Sequence, residues 1–223
     1  MTLDTSDEPG HTGWVDKTGA FGQPLKLDGS PVERSIAIIL SPRALAAEKA
    51  LSLRTARHEM VHAQHKAKVL AAVKAWQSSP ARRRPGFDDW LTQQSKQKRN
   101  PMSALDVALI KKGAKDGQAD TEVLAYVEGF TTDFHRRPAT TADAGPAFFE
   151  LLGVVETRKL YTWAQADPAV RAEALTRLKE YQATLDIDHQ RLWKEWLDKQ
   201  VANSANDKTG RKDFLTKLTA FVT

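Results

Sequence analysis

The sequence predicts a mainly α-helical protein in which one short strand leads into the longest helix. Three observations predict it. Residues Ala44 to Trp76 contain neither Gly nor Pro and are rich in Ala, Leu, Lys and Arg, which lose little side-chain freedom in a helix. Ser35-Ile36-Ala37-Ile38-Ile39-Leu40 is short and β-branched, and it stops at Ser41-Pro42, an N-cap followed by a first-turn proline. Residues 1–34 are instead rich in Gly, Asp, Thr and Pro, with turn signals at Lys17-Thr18-Gly19 and Asp28-Gly29.

Taken in order, residues 1–34 read as a loop-rich arm or small hairpin and residues 35–223 as one helical domain. After the strand and the long helix, a basic, Pro-bounded loop precedes helices expected near 86–97, 102–112, 121–135, 146–165, 168–202 and 210–221. Within 168–202, Leu175, Leu178, Gln182, Leu185, His189, Leu192 and Trp196 recur at spacings of three and four, the stripe of an amphipathic helix. Gln182 and His189 interrupt that stripe and need partners if buried. They read either as satisfied core residues or, for His189, as a donor to a developing oxyanion.

Composition sets outer bounds. The chain has 223 residues, 41% hydrophobic and 27% charged, enough for a sizeable core. It has no cysteine, so disulfides and thiolate metal sites are excluded. The opening Met1 to Glu8 lacks a basic segment and an apolar segment, so no secretory leader is expected, and no apolar run reaches the ~18 residues of a membrane helix. The net charge of +5 gathers in Arg82-Arg83-Arg84, Lys96 to Arg99 and Lys111-Lys112. With only Phe87 and Trp90 nearby, those runs read as solubilising surface, and a stacking face for nucleic acid is not indicated.

Chemistry concentrates in His58-Glu59-Met60-Val61-His62. With six His in the chain, the string His-Glu-x-x-His is expected by chance roughly 0.01 times. On a helix, residues i and i+4 share a face, so His58 and His62 can present their nitrogens to one tetrahedral Zn²⁺. Glu59 lies about 100° round the helix, beside the histidine face, where a carboxylate can accept a proton from a water on the metal. His65 shares the histidine face but lies about 10 Å beyond His58 along the axis, too far for the same ion. Lys68 stands where the longer HExxHxxGxxH pattern has its last histidine, which excludes that pattern.

A catalytic zinc takes three protein ligands and keeps a fourth position for water. Glu122, in Asp120-Thr121-Glu122-Val123-Leu124-Ala125-Tyr126, heads the candidates for the third ligand, because a glutamate on a second helix completes a two-His-plus-Glu site. Glu128, His135 and Asp133 remain alternatives. Tyr126 lies on the Glu122 face one turn later. It is the first candidate for stabilising an oxyanion, ahead of Tyr161 and His189.

A short strand, a Pro-started helix carrying His-Glu-x-x-His and a later helix bearing Thr-Glu-x-x-Ala-Tyr resemble the gluzincin class of zinc metallopeptidases. Within it they are similar to compact bacterial toxin and effector peptidase domains associated with contractile injection systems. The resemblance rests on residues 35–65 and 120–130; the C-terminal helices match no member. It implies a zincin-like fold, zinc held by His58, His62 and Glu122, and Glu59 as general base of an endopeptidase acting on a protein or peptide substrate. Synthesis in the cytoplasm without a secretory leader is compatible with export by an injection system, and the resemblance implies a delivery machinery or an immunity partner. The Ile36–Leu40 strand would then form the edge of the substrate cleft. Two other classes stand beside this one: a helical interaction or structural protein that cleaves nothing, and a basic nucleic-acid binder in which the histidine pair is accidental.

Overall fold

The computed structural model describes residues 10–17, 25–28, 30, 32–46, 49–115, 119–134, 163–204, 206 and 211–220. They form a mainly helical protein with one two-stranded antiparallel sheet. The chain divides into two compact units, Met1–Thr121 and Glu122–Thr223.

In the first unit, strand β1 (Gly10–Val15) pairs with β2 (Ser35–Leu40), Thr12 standing opposite Ile38 and Trp14 opposite Ile36. The opening segment thus supplies the partner without which Ser35–Leu40 would leave a row of backbone groups unpaired. Two glycines in Gly-His-Thr-Gly-Trp-Val dilute its β-propensity, which is why only β2 reads as a strand in the sequence.

Ser41 then caps helix α1 (Pro42–Ala46), its Oγ accepting the Ala44 N–H at 3.1 Å. The expected long helix is resolved into α1 and α2 (Lys49–Gln77), with residues 47 and 48 outside the described set. Arg84 closes the end of α2. Its guanidinium donates to the carbonyls of Gln77 (2.6 Å) and Ser79 (3.0 Å) and covers the Trp76 ring at 5.3 Å, satisfying orphan helix-end acceptors.

Helix α3 (Phe87–Ser95) and helix α4 (Ala104–Gly113) lie close to the expected positions, and Ser103 caps α4 by accepting the Asp106 N–H. Trp14, Val69, Val73, Trp76, Phe87, Leu91 and Ile110 form the core of this unit. Phe87 and Trp90, the aromatics nearest the basic runs, stack on each other at 6.1 Å between ring centres, and Phe87 is buried. Arg82, Arg83, Lys96, Lys98 and Arg99 are exposed, while Lys111 and Lys115 pair with Asp88, as expected of a solvated face.

Gly113, the last residue of α4, sits against α2 so closely that a Cβ would lie 2.8 Å from Val69 Cγ2. Valine has one preferred rotamer on a helix and cannot swing aside. Gly113→Ala should therefore destabilise the protein by about 1–3 kcal/mol despite alanine's better helix propensity, read as a lower urea midpoint.

The division between units falls within helix α5 (Ala119–Phe134). Helix α6 (Pro168–Ala183), helix α7 (Ile187–Asn203) and helix α8 (Arg211–Thr219) follow, preceded by a 3₁₀ turn at Trp163–Gln165. The described core of the second unit contains two aromatic groups among its aliphatic residues: Phe130, Tyr181 and Trp193 cluster with ring centres 5.6–6.2 Å apart, and Trp163 lies 4.6 Å from Phe214.

The single helix expected over 168–202 is in fact two. Thr184 Oγ1 donates to the Tyr181 carbonyl at 2.7 Å, and Asp186 accepts the His189 N–H at 3.0 Å, so local side-chain bonds end one helix and cap the next. The stripe running through Gln182 and His189 therefore lies on no single helix. Helix α6 buries Val170, Ala174, Leu178 and Tyr181, and α7 buries Leu192, Trp193, Trp196 and Leu197. Of the helix expected at 146–165, all but the 3₁₀ turn lies outside the described residues. Among the described residues, no helix is long and apolar enough to cross a membrane.

Candidate metal centre

Helix α2 passes through His58, Glu59 and His62 without interruption. One turn brings the two imidazoles together: their Nε2 atoms are 3.2 Å apart, with the rings inclined at 72°. Two nitrogens each about 2.0–2.1 Å from a tetrahedral zinc would be about 3.3 Å apart, so the pair already has the spacing a shared cation requires. A proton held between the rings would suit the same distance. The ligand atoms of His58, His62 and Glu122 all lie within 4.8 Å of one another, and a carboxylate joining two imidazoles is a donor set that Zn²⁺ accepts. These residues can hold a metal ion. His62 is buried, and His58 and Glu122 are half-buried.

Glu122 stands in the first turn of α5. Glu128, on the same helix, is not in the group, and its backbone carbonyl accepts the Thr131 hydroxyl. The side chain of Asp133 and the whole of His135 and Tyr161 lie outside the described residues. Tyr126 is half-buried on α5.

Glu59 is buried, with 4% of its surface exposed. Its Oε2 accepts a hydrogen bond of 2.7 Å from Thr12 Oγ1, which also lies 3.1 Å from the Glu59 carbonyl oxygen. Glu59 is outside the metal group, as its position round the helix predicts.

His65 is half-buried one turn beyond the pair, and its influence falls on α4. Burial raises the pKa of Asp106, but hydrogen bonds from Lys68 and Ser103, with the charges of Lys68 and His65, outweigh it and hold that carboxyl below its ordinary range. Asp186 caps the start of α7 by accepting the His189 N–H at 3.0 Å, and the same Oδ1 lies 2.6 Å from His189 Nδ1. The metal group does not include it.

Sequence reading missed Thr12. Nothing about a threonine in a Gly-rich arm marks it, because its relation to Glu59 exists only once β1 is laid against α2. A scan of protein-family models and searches of curated proteins and of solved structures return no match to this chain.

Proposed function

We propose that the protein is a zinc-dependent endopeptidase in which His58, His62 and Glu122 hold the metal and Glu59 is the general base. The observation that carries this reading is the grouping of two imidazoles and a carboxylate beside a buried glutamate one residue from the first histidine. When bound, zinc supplies Lewis acidity and lowers the pKa of a coordinated water to about 7.

The rest falls to the chain. Glu59 accepts the proton of the attacking water as its oxygen bonds to the scissile carbonyl carbon, then delivers that proton to the leaving amine as the C–N bond breaks. With Oε2 held by Thr12, Oε1 is the oxygen left to face the water. Tyr126, one turn beyond Glu122 on α5, is the nearest candidate in sequence to steady the developing oxyanion. The substrate is a protein or peptide. The resemblance of residues 35–65 and 120–130 to injection-system effector peptidases supports a zincin-like fold and a target protein met after export.

Metal analysis tests the first half of this reading. Purified protein should carry about one zinc per chain, and His58→Ala or His62→Ala should abolish stoichiometric binding while His65→Ala leaves it intact. Full zinc in all three variants would refute the assignment. Turnover of a mixed peptide library by the zinc-loaded protein tests the second half, and its absence would leave a metal-holding protein that cleaves nothing.

A further inference from the structure

Strand β1 lies against α2 along one face. Gly10, Thr12 and Trp14 share that side of the strand. A Cβ on Gly10 would meet Glu59 Cγ at 3.2 Å, Thr12 bonds the Glu59 carboxylate, and Lys66 Nζ lies 5.0 Å from the centre of the Trp14 ring. The first unit thus brings a strand residue onto the one carboxylate that the peptidase reading uses for proton transfer.

The contact is specific in its chemistry. A threonine hydroxyl has one proton, and the two acceptors near it are unequal: the carboxylate oxygen is at 2.7 Å and the backbone carbonyl at 3.1 Å. The carboxylate oxygen is the closer acceptor and takes the stronger of the two bonds. Threonine is also stiff at χ1, and its backbone is held in the ladder opposite Ile38. Glutamate has three side-chain torsions and no such restraint of its own. Gly10 makes the approach feasible, since any side chain there would press on Glu59 Cγ and, at 3.0 Å, on Leu40 Cδ2.

We propose that Thr12 is a positioning residue for Glu59, clamping Oε2 so that Oε1 is held in the orientation from which it takes the proton of the attacking water. This rests on the endopeptidase reading. A purely structural alternative is that Thr12 only satisfies a buried acid. The two differ in what the hydroxyl does for kcat.

The test compares Thr12→Val, which keeps the shape and removes the donor, with Thr12→Ser, which keeps the donor. Zinc-loaded protein is assayed on a fluorogenic peptide that the wild type cleaves, with zinc content measured alongside and the crystal structure of each metal-free variant determined. Thr12→Val should lower kcat by about 10- to 100-fold with KM and zinc content unchanged, the loss expected when a reacting group is misplaced by about 1 Å. The Glu59 carboxylate should leave its place beside β1, and Thr12→Ser should restore both the rate and the position. If Thr12→Val does not fold, Thr12→Ala set against Thr12→Ser makes the same comparison. Wild-type kcat in the variant lacking the hydroxyl, an unmoved Glu59, or equal losses in the Ser and Val variants would each overturn the proposal while the peptidase reading stands. A zinc-loaded wild type that cleaves no peptide would overturn both.

Discussion

Glu59→Gln is expected to keep zinc at the wild-type level and to lose peptide hydrolysis by roughly 10²–10⁴-fold. The size of the loss follows from what the substitution removes. An amide has nearly the shape of the carboxylate and still offers an oxygen to the Thr12 hydroxyl, so β1 has no reason to leave α2. It cannot accept a proton from water or pass one to a leaving amine. Zinc should stay because Glu59 lies outside the group formed by His58, His62 and Glu122. The measurement is kcat/KM on a peptide substrate with zinc determined on the same sample. A Gln variant as active as wild type would remove Glu59 from the mechanism, and one that lost its zinc would place Glu59 among the ligands.

The site was legible in the sequence to the extent that it depends on one helix. Periodicity alone puts His58 and His62 on a common face and turns Glu59 aside, and the 3.2 Å approach of the two Nε2 atoms is that periodicity made concrete. Glu122 was reachable as a candidate for a different reason: a two-His zinc site demands a further donor, and a glutamate on a second helix supplies one. Thr12 was not reachable. Its role depends on the pairing of two strands separated by some twenty residues and on the packing of that pair against a helix, and pairing of that kind leaves no periodic trace.

The misreading of 168–202 has the opposite cause, a periodic pattern strong enough to run across a helix boundary. Asp186 is a good N-cap, and a residue of that kind inside an apolar stripe marks two helices whose stripes happen to be in register. His189, which the unbroken stripe turned toward a core or cleft, is half-buried and lies in the capping turn of α7.

Glu122→Ala and Glu128→Ala should part company completely. Removing Glu122 takes one of three donors from the metal, so zinc affinity should fall by more than the roughly 10- to 100-fold that follows loss of an outer-shell partner, and activity should vanish with it. Glu128 lies six residues further along α5, about 120° round the helix axis, and is absent from the group. Its loss should leave zinc binding and turnover nearly unchanged. Zinc affinity by competition with a chromogenic chelator checks both variants. In a zinc-bound crystal the Glu122 carboxylate oxygen should then lie about 2.0–2.2 Å from the ion, with the His58 and His62 nitrogens at about 2.0–2.1 Å. If Glu122→Ala kept full zinc affinity while His58→Ala lost it, the histidine pair would remain a metal site with another third ligand, and the role given to Tyr126 through its place on the Glu122 face would fall.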